Sequence, residues 1–240
     1  MNVLSTRKSL AMNFPALTHQ NFRYFWSGQC LSLLGTWMQR TAQQWMVYEM
    51  TKSAFLLGLL GVFQFGPVLL LSLFAGAMVD RYPKKKILLL TQGLLMLQAV
   101  ILALLVWTGH VQYWHVLVLA AVMGLANTLD MPARQSFIVE LVGKQDLMSG
   151  IALNSAIVHL ARIIGPAIAG LIITFISTAA CFFLNGLSFI AVLVGLLFIK
   201  SSESLIRSKK TGIFRDVWDG LKYIASKQIL WATFLAMLAI

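Results

Sequence analysis

Two arginines, Arg40 and Arg162, stand inside long apolar stretches of this 240-residue chain, each with polar company at helical spacing. Around the first, Gln29, Ser32, Thr36, Gln39, Arg40 and Gln43 recur at steps of three and four, so they share one side of a helix. Leu31, Leu34, Met38, Ala42 and Trp45 take the other side. Around the second, Ser155, His159 and Arg162 follow at i, i+4 and i+7. A guanidinium is a fixed cation with a fork of donors. Facing lipid at mid-bilayer it costs at least ~2.5–3.5 kcal/mol. Each arginine is therefore expected to face a wet cavity or an acidic partner. The competing reading is a hydrogen-bonded packing network between helices. Gln39, Arg40, Gln43, Gln64, Asn127, His159 and Arg162 make up the candidate substrate cavity. Two intramembrane cations favour a substrate or partner with negative character. His159 is read first as a neutral hydrogen-bonding group and second as a proton relay.

The elements that must carry these residues are membrane helices. Apolar residues make up 59% of the chain and charged residues 11%, about half the charge of a soluble domain. Mean hydropathy is +0.80. The apolar residues form blocks long enough to cross a hydrocarbon core of about 30 Å, which takes roughly 20 helical residues. Only helices or closed barrels satisfy their backbone in lipid, and these blocks are too long and too poorly alternating for barrel strands. The fold class is all-α and polytopic, with spans at 25–48, 55–79, 87–107, 114–131, 147–175 and 179–199. Residues 1–24 form a leader and residues 25–199 a six-span unit. A polar segment follows at 200–228, with an amphipathic stretch at 214–226 read as a linker helix packed on its own protein. The run 229–240 reaches about 18 Å, the start of a seventh span.

The formal charge of +11 is a topology signal rather than a nucleic-acid signal. Arg7, Lys8 and Arg23 precede span one; Arg81, Lys84, Lys85 and Lys86 follow span two; Arg134 and Lys144 follow span four. A basic tail from Lys200 to Lys227 follows span six, and the intervening loops hold only Lys52. Basic loops alternate with neutral ones, which places the N-terminus and the segment after span six in the cytoplasm. Cys30 and Cys181 both fall inside spans and imply neither a disulfide framework nor a metal site. Span five carries small residues at Ala161, Gly165 and Ala169, with Pro166 and Gly170 beside them, which predicts close helix approach and a kink. No carboxylate sits near the centre of a span, Glu49 and Asp130 lying near the ends of theirs, which weakens a simple proton relay.

The segment Gly76-Ala-Met-Val-Asp80-Arg81-Tyr-Pro83-Lys84-Lys85-Lys86 resembles the signature loop of the major facilitator superfamily in sequence, span number and side of the membrane. It departs at Pro83, where glycine is usual, and at Lys84, where arginine is usual. The resemblance implies that Asp80 and Arg81 brace one half of a transporter against the other, with Asp130 as candidate acidic partner. Gly165-Pro166-Ala-Ile-Ala-Gly170 looks like the family's antiporter motif, with Ala169 where a second glycine is common. The segments around Trp37-Met38-Gln39-Arg40 and Asp130-Met131-Pro132-Ala133-Arg134-Gln135 are similar to the enterobactin-exporter-like and macrolide-exporter-like branch.

The resemblance implies twelve spans in two six-span halves, built from inverted repeats, of which this chain supplies one half. It implies a secondary-active exporter of a siderophore- or drug-like small molecule, working by alternating access, with protons as the candidate coupling ion. The expected setting is the bacterial inner membrane, and the expected partners are lipid, substrate and a second half or a second copy. The alternative is a truncated, non-transporting product. No Walker A loop, G-x-S-x-G elbow or metal-ligand cluster is present in the sequence, so no enzyme, cofactor or metal is expected.

Overall fold

The computed structural model describes residues 14–199. A 3-10 turn, Pro15–Thr18, leads into six helices: α1 Gln20–Thr51, α2 Ala54–Arg81, α3 Lys84–Trp107, α4 Tyr113–Val142, α5 Leu147–Phe175 and α6 Thr178–Phe198. Among the described residues there is no strand. The amphipathic stretch at 214–226 and the run at 229–240 lie outside the described residues.

The helices begin and end where local chemistry requires. Ser53 and Ser177 cap α2 and α6, each hydroxyl accepting from the amide three residues on. Lys52 closes α1 in the left-handed region, at φ 49°. Two expected boundaries move. The segment 76–86 is almost wholly helical: α2 runs on to Arg81, and only Tyr82 and Pro83 separate it from α3. Tyr82 is extended, at φ −110° and ψ 152°, as a residue before proline prefers, and this builds the turn without a glycine. The fourth helix runs on through Pro132 to Val142 instead of stopping at Met131. Pro67 and Pro166 likewise sit inside continuous helices. A proline removes one backbone bond, and neighbouring helices make that tolerable in a membrane.

Five of the six helices are long and apolar enough to cross a membrane, and α1 is not. Its direction nevertheless fits a crossing. It lies antiparallel to α6, with Gly28 against Val192 and Gly35 against Asn185. It lies parallel to α5, with His19 against Asp146 at their starts and Gly165 against Trp37 further along. The polar residues that lower its hydropathy are largely turned inward. The contacts are close: a methyl built on Gly28 would fall 2.8 Å from Val192 Cα, and one on Gly195 would fall 2.6 Å from the Tyr24 carbonyl oxygen. Without a hydrophobic drive between helices in lipid, such backbone proximity is what packing relies on.

The remaining helices fill in around α1. Its other end of the core is shared with α3 and α4, where Leu102, Val116, Leu119 and Ala120 pack with Met46 and Val47. Helix α2 lies along α4, and Gly124 lets it approach until a methyl there would meet the Gln64 carbonyl oxygen at 2.7 Å. Helices α2 and α5 are the least buried of the candidate spans. They expose Leu69, Leu70, Ile163 and Phe175. Trp107 and Trp114 are exposed at the end away from the basic loops, where indoles favour the membrane interface.

Candidate functional site

The polar stripe of α1 divides into a buried part and an open part. Gln29, Ser32, Gln39 and Gln43 are buried. Gln39 is the centre of a chain of amides: Asn185 Nδ2 of α6 donates to its Oε1 at 2.6 Å, and its own Nε2 donates to Gln98 Oε1 of α3 at 3.2 Å. Gln64 of α2 donates to Gln43 Oε1 at 3.1 Å, and Gln43 donates to the Val116 carbonyl of α4. Gln39, Gln43 and Gln64, expected on a cavity wall, are thus placed in a network that ties α1 to four neighbours. Interhelical bonds of this kind contribute roughly 0.6 kcal/mol each, up to ~1.7. Gln29 is the exception, with both amide atoms buried and unpartnered. Asn127 is buried on α4 with its amide nitrogen unpartnered.

Arg40 follows Gln39 by one residue, a rotation of about 100°, and so leaves the buried network. Its guanidinium carbon lies 5.0 Å from the Trp37 ring centroid and 5.3 Å from that of Phe65 on α2. Arg162 of α5 lies 5.0 Å from the same indole. Gly165, one turn beyond Arg162, makes this possible, because a methyl there would fall 2.7 Å from Trp37 Cβ. Ala161 and Ala169 on the same stripe are buried with it. Each cation–π contact contributes about 0.5–2 kcal/mol, depending on desolvation, which offsets part of the cost of a membrane-embedded arginine. Arg40 Nε is buried without a hydrogen-bond partner. His159 and Arg162 are exposed on one face of α5.

The basic end is braced within the bundle. Asp130 is fully buried. Its Oδ1 accepts from Thr91 Oγ1 at 2.8 Å and Gln92 Nε2 at 2.7 Å, and Arg134 pairs with its other oxygen. Because α4 continues as a helix past Pro132, Arg134 falls one turn from Asp130 and meets it directly. Lys84 reaches Glu140 at 3.4 Å, and Lys85 donates to the Ile199 carbonyl at the end of α6 at 2.7 Å. Lys86 and Arg81 also have partners. Asp80 is exposed. Gly76 and Gly170 border open space, with nothing within 4 Å of a methyl at either. His19 Nε2 and Asp146 Oδ2, 2.7 Å apart, join the start of α1 to the start of α5.

The sequence named both arginines as cavity candidates and Trp37 only within a segment similar to the exporter branch. Trp37 and Arg40 stand three apart on one helix face, and that spacing was the available signal. Asn185 and Gln98 gave none, each being a lone amide in an apolar helix.

A family model described as transmembrane secretion effector matches residues 11–238. The staphyloferrin A transporter of Staphylococcus aureus is 31% identical over 170 residues, covering 68% of this chain and 43% of that protein. The enterobactin exporter of Shigella boydii is 26% identical over 168 residues, covering 70% and 40%. Macrolide efflux protein A of Streptococcus pyogenes is 20% identical over 216 residues, covering 89% and 53%. The chain spans about half the length of the curated relatives it matches. Because the family match runs nearly end to end, the chain belongs to the major facilitator superfamily, in its transmembrane secretion effector family.

Proposed function

We propose that this chain forms one six-helix half of a secondary-active exporter that moves a siderophore- or drug-like small molecule by alternating access. The observation that carries the reading is the pair Arg40 and Arg162, held over Trp37 with Arg162 and His159 exposed on α5. Membrane-embedded cations with no carboxylate partner among the described residues serve a pathway more readily than a packed core. The names of the relatives, transporter and exporter of siderophores and efflux protein for a macrolide, support the export direction and the substrate class.

On this reading the substrate binds against Arg40, His159, Arg162 and Asn127. Gln39, Gln43 and Gln64 stiffen the wall behind them. Asp80, Arg81 and Lys84–Lys86 form the gate at the basic end, Gly76 leaves room on α2 for an opposing helix, and the Asp130 cluster anchors α3 to α4. Gly165, Pro166 and Gly170 let α5 bend as the halves rock. A second six-helix unit, in the same polypeptide or in another copy, closes the pathway. The basic end faces the cytoplasm of a bacterial inner membrane, and protons are the candidate coupling ion. Export from proteoliposomes under an imposed pH gradient tests this with the protein as its gene encodes it. Gradient-dependent loss of the enclosed compound is the expected result. Absence of any response to the gradient refutes proton coupling, and absence of transport refutes the reading as a whole.

A further inference from the structure

Four side chains from three helices form an alternating row: Phe65 of α2, Arg40 and Trp37 of α1, and Arg162 of α5. The Arg40 guanidinium carbon lies 5.0 Å and 5.3 Å from the Trp37 and Phe65 ring centroids, and the Trp37 ring has both guanidiniums close by. Both guanidinium carbons lie 5.0 Å from one ring centroid, so they stand within twice that distance of each other. Neither pairs with a carboxylate among the described residues. Glu49 pairs with Lys52, Asp130 with Arg134, Glu140 with Lys84 and Asp146 with His19. Asp80 lies at the basic end of α2, far along the helix from Phe65.

A guanidinium that engages a ring through its face keeps its N–H edge for an oxyanion, and that edge matches a carboxylate with two parallel bonds. Arg40 Nε has no partner to give up. Two like charges gathered on one ring repel each other, and one anionic group answers only one of them. We propose that this row is a binding site for an organic dianion, a small molecule carrying two carboxylates on a short body, with one carboxylate on Arg40, one on Arg162 and the body against Trp37 and Phe65. The proposal rests on the transport reading above and narrows it to a substrate class.

The bounded separation of the two cations makes ligand length the diagnostic. The gene-encoded protein in nanodiscs is titrated with α,ω-dicarboxylates from succinate to suberate, with monocarboxylates of matched length, and with inorganic phosphate. Binding is followed by calorimetry and by indole fluorescence, with Trp37→Phe keeping a ring but silencing that reporter. One dicarboxylate length binds best, at least tenfold tighter than its matched monocarboxylate. Arg162→Gln, at an exposed position, and Arg40→Gln each bring the dicarboxylate down to the monocarboxylate level. Equal binding of the two series, no optimum in length, or phosphate binding tighter than every dicarboxylate overturns the proposal. A parallel export assay with a neutral macrolide separates the two readings. Macrolide export untouched by Arg162→Gln, with no dicarboxylate preference, overturns the dianion site and leaves the transporter. Selective dicarboxylate binding without any export supports the site and refutes the transporter.

Discussion

Replacing Gly165 by alanine tests the contact that brings α5 onto α1. The added methyl would lie 2.7 Å from Trp37 Cβ and 3.0 Å from the Met38 amide nitrogen. Non-bonded carbons settle at about 3.5–4.0 Å, so the two helices must part by roughly 1 Å. Neither neighbour is the free end of a flexible side chain, and the strain has no cheap outlet. Overpacking of this kind costs about 1–3 kcal/mol. Alanine also gains up to about 1 kcal/mol over glycine in a helix, which blurs the result for a single variant. Gly170→Ala removes the ambiguity. It makes the same exchange on the same helix, with nothing within 4 Å of the new methyl. The difference between the two variants isolates packing, so Gly165→Ala melts below Gly170→Ala by roughly 2–12 °C, at about 2–4 °C per kcal/mol. Thermal unfolding in nanodiscs, read by indole fluorescence, measures the gap. Equal melting temperatures, or Gly170→Ala the less stable, would refute the close approach and with it the shared indole.

Asn185→Ala leaves Gln39 Oε1 without its 2.6 Å donor and lowers stability by about 1–3 kcal/mol in the same melt. Adding Gln39→Met costs less than the two single changes summed, because the stranded acceptor goes with it. Gln29→Met raises stability by about 1–3 kcal/mol, since it removes two buried amide atoms with no partner; a lower melting temperature contradicts this. Asp130→Ala strands Arg134, whose side chain is 11% exposed, and costs about 3–5 kcal/mol, while Asp130→Ala with Arg134→Met recovers much of the loss.

How much was legible in the sequence differs from element to element. Five of the six helices followed from apolar blocks, because lipid leaves the backbone almost no other option, and the first was legible by its polar stripe. The far end of α4 was misread, since Pro132 looks like a boundary in water and is absorbed inside a bundle. That error hid the one-turn pairing of Asp130 with Arg134 and made Asp130 look like a free acid at the helix end. Arg40 and Arg162 announced themselves through the cost of placing them in lipid. The polar stripe of α1 was legible as a stripe, and its division was not. Which residues turn to Gln98 and Asn185, and which to Trp37, depends on where α3, α5 and α6 come to lie. Periodicity within one helix carries no information about that.

The glycine contacts along α1 bear on how such a protein diversifies. Gly28 and Gly35 meet α6, Gly165 meets α1 at Trp37, and Gly195 meets the Tyr24 carbonyl, all at distances where any side chain collides. Every residue that replaces a glycine adds bulk, so substitution at these positions forces the helices apart. Ser155, His159 and Arg162 border open space on α5 and meet no such obstacle. Substitution is therefore resisted along the glycine frame of α1 and tolerated on that open face of α5.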